Sequence, residues 1–129
     1  MNKDEINRLS GIILDSSIEV HRNLGPGLLE SVYEICLCKE LSYRGVNFQR
    51  QVLLPVNYKG EKLDADFRID ILVENEIIVE LKAVEAMNPV YDAQLLTYLK
   101  LADKKLGLLI NFNVPKLVDG FKRIINGYF

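Results

Sequence analysis

Residues 67–84 read Phe67-Arg68-Ile69-Asp70-Ile71-Leu72-Val73-Glu74-Asn75-Glu76-Ile77-Ile78-Val79-Glu80-Leu81-Lys82-Ala83-Val84, two apolar, β-branched runs split by three polar turn formers. This pattern predicts a hairpin. Side chains alternate across a strand, so Phe67, Ile69, Ile71 and Val73 share one face of the first run while Arg68, Asp70 and Leu72 take the other. The second run divides into Ile77, Val79, Leu81 and Ala83 against Ile78, Glu80, Lys82 and Val84. Parity decides whether the charges meet. If 73 pairs with 77 across residues 74–76, position 70 stands opposite position 80, whereas a two-residue loop throws them to opposite faces. With the odd loop, opposed Cβ atoms lie about 4.5–5.5 Å apart, near enough for the carboxylates of Asp70 and Glu80 to clasp a hard divalent cation, with Lys82 one pleat further along. On spacing alone the plainer reading is a solvated hairpin face on which Lys82 neutralises the acids. Against it, the same face carries Leu72, Ile78 and Val84, and the chain has enough helix to cover both sides of a sheet. Charges under such a cover must be paired or bind metal.

Outward from the hairpin, 46–58 is again β-branched and aromatic, which predicts a third antiparallel strand joined through a Tyr58-Lys59-Gly60-Glu61 turn. Upstream, Ile6, Leu9, Ile12, Ile13, Ile18 and Val20 recur near the helical period before Gly25, and 28–43 resumes that period after the Gly25-Pro26-Gly27 break. Downstream, Pro89 opens a helix to about residue 102, and the apolar run 106–112 suits a buried central strand. The segment 117–125 fits either a short helix or an Asp119-Gly120 turn and a strand. The order αα-βββ-α-β-(α or β), without repeats or a linker, describes one mixed-sheet α/β domain over residues 1–129.

A chain of 129 residues is one core's worth, and 49% hydrophobic with 26% charged residues is a globular balance. The net charge of −2 supplies no overall field to hold polyanions or membranes. The charge is uneven: residues 1–99 carry 10 basic and 16 acidic side chains, residues 100–129 carry 6 and 2. Cys36 and Cys38 sit two apart in a predicted helix, point to different sides and do not bridge, which fits a reducing, cytoplasmic setting. No apolar run approaches the roughly 18 residues of a membrane span, and 1–14 has charges where a signal peptide needs an apolar stretch. With His21 the only histidine and no Cys-x-x-C, zinc lacks ligands.

Several strings taken together carry a resemblance: Ile18-Glu19-Val20-His21, Gly27-Leu28-Leu29-Glu30-Ser31-Val32-Tyr33, Asp70, Ile78-Val79-Glu80-Leu81-Lys82-Ala83-Val84, Gln94-Leu95-Leu96-Thr97-Tyr98 and Asn111-Phe112. In this order they resemble the GxxExxY family, grouped with PD-(D/E)XK nuclease-like proteins. The resemblance runs from the first helix to about Gly127. It implies a restriction-endonuclease-like fold, a mixed β-sheet flanked by helices, with Asp70 as the motif aspartate and Glu80-Leu81-Lys82 as (D/E)XK. Ile69 stands where proline would precede the aspartate, a position that varies in the superfamily. So implied, Asp70, Glu80 and the Leu81 carbonyl hold Mg²⁺ or Mn²⁺, and Lys82 orients the attacking water or stabilises the charge of a phosphodiester under hydrolysis.

Glu30 is a further catalytic candidate, against the plainer role of half a capping box three residues after Gly27. Tyr33 shares its helix face, and Gln94 with Tyr98 resembles a Gln-x-x-x-Tyr signature, which makes all three candidates for substrate contact. His21 reads as structural, and Cys36 and Cys38 lack the base of a thiol hydrolase. The leading expectation is a metal-dependent nuclease acting on nucleic acid, DNA ahead of RNA, with no membrane partner. The alternative is a non-catalytic module of the same fold that binds nucleic acid or a protein, and a small-molecule hydrolase is a third. Lys100, Lys104, Lys105, Lys116, Lys122 and Arg123 form a candidate phosphate wall, or in part a solvated helix end. So short a chain offers a short track to a duplex, so a homodimer or an added partner is expected.

Overall fold

The Asn2 side chain accepts the Glu5 amide at 2.8 Å and the Glu5 carboxylate accepts the Asn2 amide in return, a capping box that starts α1 (Lys3–Leu24). Gly25 and Gly27, at φ 71° and 95°, then turn the chain through a region side chains avoid, and α2 (Glu30–Tyr43) runs back against α1. The computed structural model describes residues 1–129, the side chain at position 65 apart. Three strands follow, β1 (Phe48–Tyr58), β2 (Glu61–Val73) and β3 (Ile77–Lys82); then α3 (Pro89–Ala102), β4 (Leu106–Asn111), a 3-10 turn (Leu117–Gly120) and β5 (Phe121–Ile125). The segment left open between helix and strand is thus a single 3-10 turn followed by a strand. No helix among the described residues is long and apolar enough to cross a membrane.

The five strands lie in chain order, β1-β2-β3-β4-β5, and every neighbouring pair is antiparallel except β3 and β4. That parallel pair needs a crossover, which α3 supplies. Burial follows from the crossover. Helices α1 and α2 cover one face, where Ile13, Leu37 and Leu41 meet Ile71, Val79, Leu81, Leu108 and Ile110. Helix α3 covers the other, where Leu95, Tyr98 and Leu99 meet Ile69, Leu72, Ile78 and Leu109. The closest approach is at Gly107, where a Cβ would lie 2.9 Å from Leu95, so only glycine lets α3 settle so near the sheet. All residues of β4 are buried, as a continuous apolar run requires.

The alternation expected along β2 holds only in part. Ile71 and Val73 belong to the core under α1 and α2, but Phe67 and Ile69 pack with the core under α3. The strand changes face at Asp70. Its partner strand changes face as well: Arg50 pairs with Ile71 and Val52 with Ile69, while Gln51 between them takes φ 51°. One residue in a left-handed conformation reverses which way the following side chains point, a break that no hydrophobic pattern announces. Glu34, buried on α2, secures the kink by accepting Arg50 Nη2 at 2.8 Å and Gln51 Nε2 at 2.7 Å.

Candidate metal centre

Strands β2 and β3 pair as Val73↔Ile77, Leu72↔Ile78 and Ile71↔Val79, so the odd-loop register brings Asp70 opposite Glu80. There the ladder gives way to side chains. The Leu81 amide donates to Asp70 Oδ2 at 2.8 Å, and the Asp70 amide donates to Glu80 Oε1 at 3.4 Å. The face change at Asp70 explains this: a carboxylate on a strictly alternating strand would stand on one face, whereas this one leans into the gap between strands and takes up a main-chain donor. Glu80 is on the α3-covered face and only 7% exposed. Burial, then the Asp70 charge, push its carboxyl up to about 10 from an ordinary 4.5, with Lys82 pulling weakly the other way.

Lys82 ends β3, half-buried, and among the described residues it forms no ion pair. Its ammonium lies 4.6 Å from the centre of the Tyr91 ring. The strand end beneath it is pinned. The Phe112 amide donates to the Lys82 carbonyl at 2.9 Å, and the buried Asn111 side chain clamps Val84 by accepting its amide at 3.1 Å and donating to its carbonyl at 3.0 Å.

The remaining candidates separate. Glu30 is the first residue of α2, behind Leu29 as a cap without a side-chain bond, so it is not half of a capping box. Its carboxyl is raised by partial burial and then by the charge of Asp70, and lowered by that of Lys82. Tyr98 is buried beneath α3, tilted on Phe67 at 5.1 Å, and its hydroxyl is raised by burial and by Glu80 and Asp70. Gln94, one turn earlier, is exposed and makes no side-chain hydrogen bond among the described residues. Tyr33 has no exposed surface: its ring stacks on Phe112 at 4.5 Å, and its hydroxyl donates to Gly25 at 2.6 Å and accepts from Leu28 at 3.2 Å. The expected substrate contact by Tyr33 is corrected on that ground. It instead shapes the Gly25–Leu28 turn that delivers Glu30.

The C-terminal basic cluster also divides. β4 starts with Leu106 beside Ile77 and ends with Asn111 beside Lys82. Lys104 and Lys105, whose carbonyls accept from Asn126, precede its start and so lie at the end of the sheet away from Lys82. Arg123 turns to Asn7 at 2.7 Å. Lys122 reaches Asp92 in the first turns of α3, near the site. A single wall of six cations is not what the fold builds. Tyr91 was missed as a site residue, although its seven-residue spacing from Tyr98 puts both on one helix face; Gln51 left no signal, since nothing in its type demands a positive φ.

For a hard cation the donor set is suitable: two carboxylates and the Leu81 carbonyl, all oxygen. The fit is testable on Glu80 itself, a buried acid pressed against a second acid without an ion-paired cation among the described residues, a state that a divalent ion would relieve. No group of three His, Cys, Asp or Glu side chains suited to a metal occurs among the described residues, so the carbonyl and water would have to complete the set.

A five-stranded mixed sheet between helix layers, with two acids meeting where β2 leaves β3, defines the class: an α/β protein of restriction-endonuclease-like fold. The chain belongs to the PD-(D/E)XK nuclease superfamily, whose family model matches residues 7–124. A solved chain described as "Crystal structure of SSO0001" is similar at a TM-score of 0.58 and 20% identity, over 78% of this chain and 52% of that one. This chain therefore spans about half the length of that neighbour, and the likeness is one of fold. No curated protein matches the sequence.

Proposed function

We propose that the protein is a divalent-metal-dependent nuclease that hydrolyses phosphodiester bonds, of the GxxExxY branch of its superfamily, acting on DNA in preference to RNA. The observation that carries this is the meeting of Asp70 and Glu80 in the gap between β2 and β3, with Lys82 on the next pleat. Asp70, Glu80 and the Leu81 carbonyl would hold Mg²⁺ or Mn²⁺. Such an ion, when bound, lowers the pKa of a water and offsets charge building on the phosphorus oxygens.

The chain's own groups do the rest. Asp70 and Glu80 supply the negative charge that binds and fixes the site. Lys82, uncommitted to an ion pair among the described residues, orients the attacking water and stabilises the equatorial oxygens as the phosphorus becomes five-coordinate. Glu30, delivered by the Tyr33-braced turn, adds a third carboxylate at the mouth, where it orders water. Tyr98 packs behind the acids and limits solvent there. A second copy of the chain or another partner would lengthen the track along a duplex.

The experiment is a panel of single- and double-stranded DNA and RNA incubated with Mg²⁺ or Mn²⁺, comparing wild type with Glu80→Ala and Lys82→Ala. Cleavage by wild type that requires the metal and falls at least about a hundredfold in both variants is expected. Absence of cleavage on every substrate, or equal cleavage by the variants, would leave a nucleic-acid or protein-binding module as the better reading.

A further inference from the structure

Lys82 follows Glu80 by two residues on β3, yet among the described residues its ammonium forms no ion pair and stands instead over an aromatic face. We infer that Tyr91 is a positioning residue that holds the Lys82 ammonium off the carboxylates, leaving Asp70 and Glu80 open to a divalent cation and the ammonium beside it. The inference rests on the reading of Asp70 and Glu80 as a metal site.

Both halves of the contact are anchored. Tyr91 lies in the first turn of α3, where Pro89 fixes the entering backbone, Asn88 accepts the Val90 amide at 2.9 Å, and the ring packs on the core beneath the helix. Lys82 is fixed by the Phe112 amide on its carbonyl and by the Asn111 clamp two residues on. The other lysine–tyrosine contacts differ. Lys39 on Tyr43 and Lys59 on Tyr58 stand at 5.7 and 5.4 Å on rings 72% and 59% exposed, where water competes for the ammonium. The Lys82 contact is the shortest of the lysine–tyrosine three, and both of its side chains are half-buried.

The aromatic face attracts a cation without supplying a negative charge, so it restrains the ammonium and leaves it available. A carboxylate in its place would neutralise it. Without the ring, the carboxylates of Glu30, Asp70 and Glu80 are left to attract the ammonium, and a lysine drawn between Asp70 and Glu80 would occupy the place of the metal.

The test uses the full-length, metal-stripped protein with a ¹³C-labelled lysine pool, wild type against Tyr91→Phe and Tyr91→Leu. The ring current should move the Lys82 Hε resonances upfield in wild type and Tyr91→Phe, and Tyr91→Leu should return them to ordinary values. Calorimetric titration with Mn²⁺ should show an affinity loss of about tenfold in Tyr91→Leu and under about twofold in Tyr91→Phe. The same Tyr91→Leu change made on a Lys82→Met background should cost nothing further, because no ammonium is left to intrude. Unshifted Hε resonances in wild type would overturn the inference, as would an equal loss of affinity on the two backgrounds. If wild type takes up no Mn²⁺, the metal reading is what fails, and the Hε resonances still decide where the ammonium sits.

Discussion

Glu80→Gln keeps the shape of the side chain and removes its charge, at a site where charge is costly. Glu80 is 7% exposed and faces Asp70, and its carboxyl is pushed up to about 10 from 4.5. Without metal the folded protein therefore holds a proton there that the unfolded chain releases, and folding stability from this group is complete below the ordinary 4.5 and is lost as pH rises toward the folded value. At pH 8 the loss depends only on how far pH 8 lies above 4.5, provided the folded value is higher still. At 1.36 kcal/mol per pH unit this is bounded by about 5 kcal/mol, and relaxation around the pair brings it to roughly 3 kcal/mol. The amide removes that loss while its oxygen still accepts the Asp70 amide. Metal-free Glu80→Gln should thus unfold about 10 °C higher than wild type at pH 8, with the gap closing at pH 5. A divalent cation should reverse the order: Mn²⁺ at a thousand times its dissociation constant stabilises wild type by about 4.1 kcal/mol and the variant by almost nothing. Scanning calorimetry at the two pH values, with EDTA or with Mn²⁺, measures all of this. A metal-free variant less stable than wild type at pH 8, or one that gains equally from Mn²⁺, would refute the reasoning.

Three further outcomes follow from single residues. Gly120→Ala places a methyl against the Asn111 carbonyl, so urea unfolding should show a loss of about 2 kcal/mol or more, together with weaker protection of the Val84 amide from hydrogen exchange. Tyr33→Phe removes a buried hydroxyl that serves both Gly25 and Leu28; the expected loss is about 1–2 kcal/mol in urea unfolding, with faster exchange of the Leu28 amide. Cys38, raised by burial to about 11, should react with a thiol reagent at pH 8 only as fast as the protein opens. Its share of stability, full below the ordinary 9, is lost as pH climbs toward 11, which the wild-type difference from Cys38→Ala above and below pH 9 would show.

The register of the central hairpin was legible in the sequence because a three-residue loop leaves only one parity, and the buried runs at 77–82 and 106–111 declared a sheet covered on both sides. What strict alternation hid was the change of face at Gln51 and Asp70, which turns Asp70 toward the Leu81 amide. Backbone conformation caused it, and glutamine is not a residue type that signals a positive φ. Tyr33 misled for a related reason. A motif tyrosine beside a motif acid suggested shared chemistry, while its hydroxyl is consumed by the turn that carries the acid. Tyr91 and Lys82 lie nine residues apart on different elements, and only the return of α3 over β3 unites them.

Crystals soaked in Mn²⁺ and measured for anomalous scattering probe the gap between β2 and β3 most directly. One peak at the Asp70 and Glu80 carboxylates, with the Lys82 ammonium still over Tyr91, is the predicted result. A map without a peak there, or with Lys82 seated between the two acids in every crystal, would contradict it.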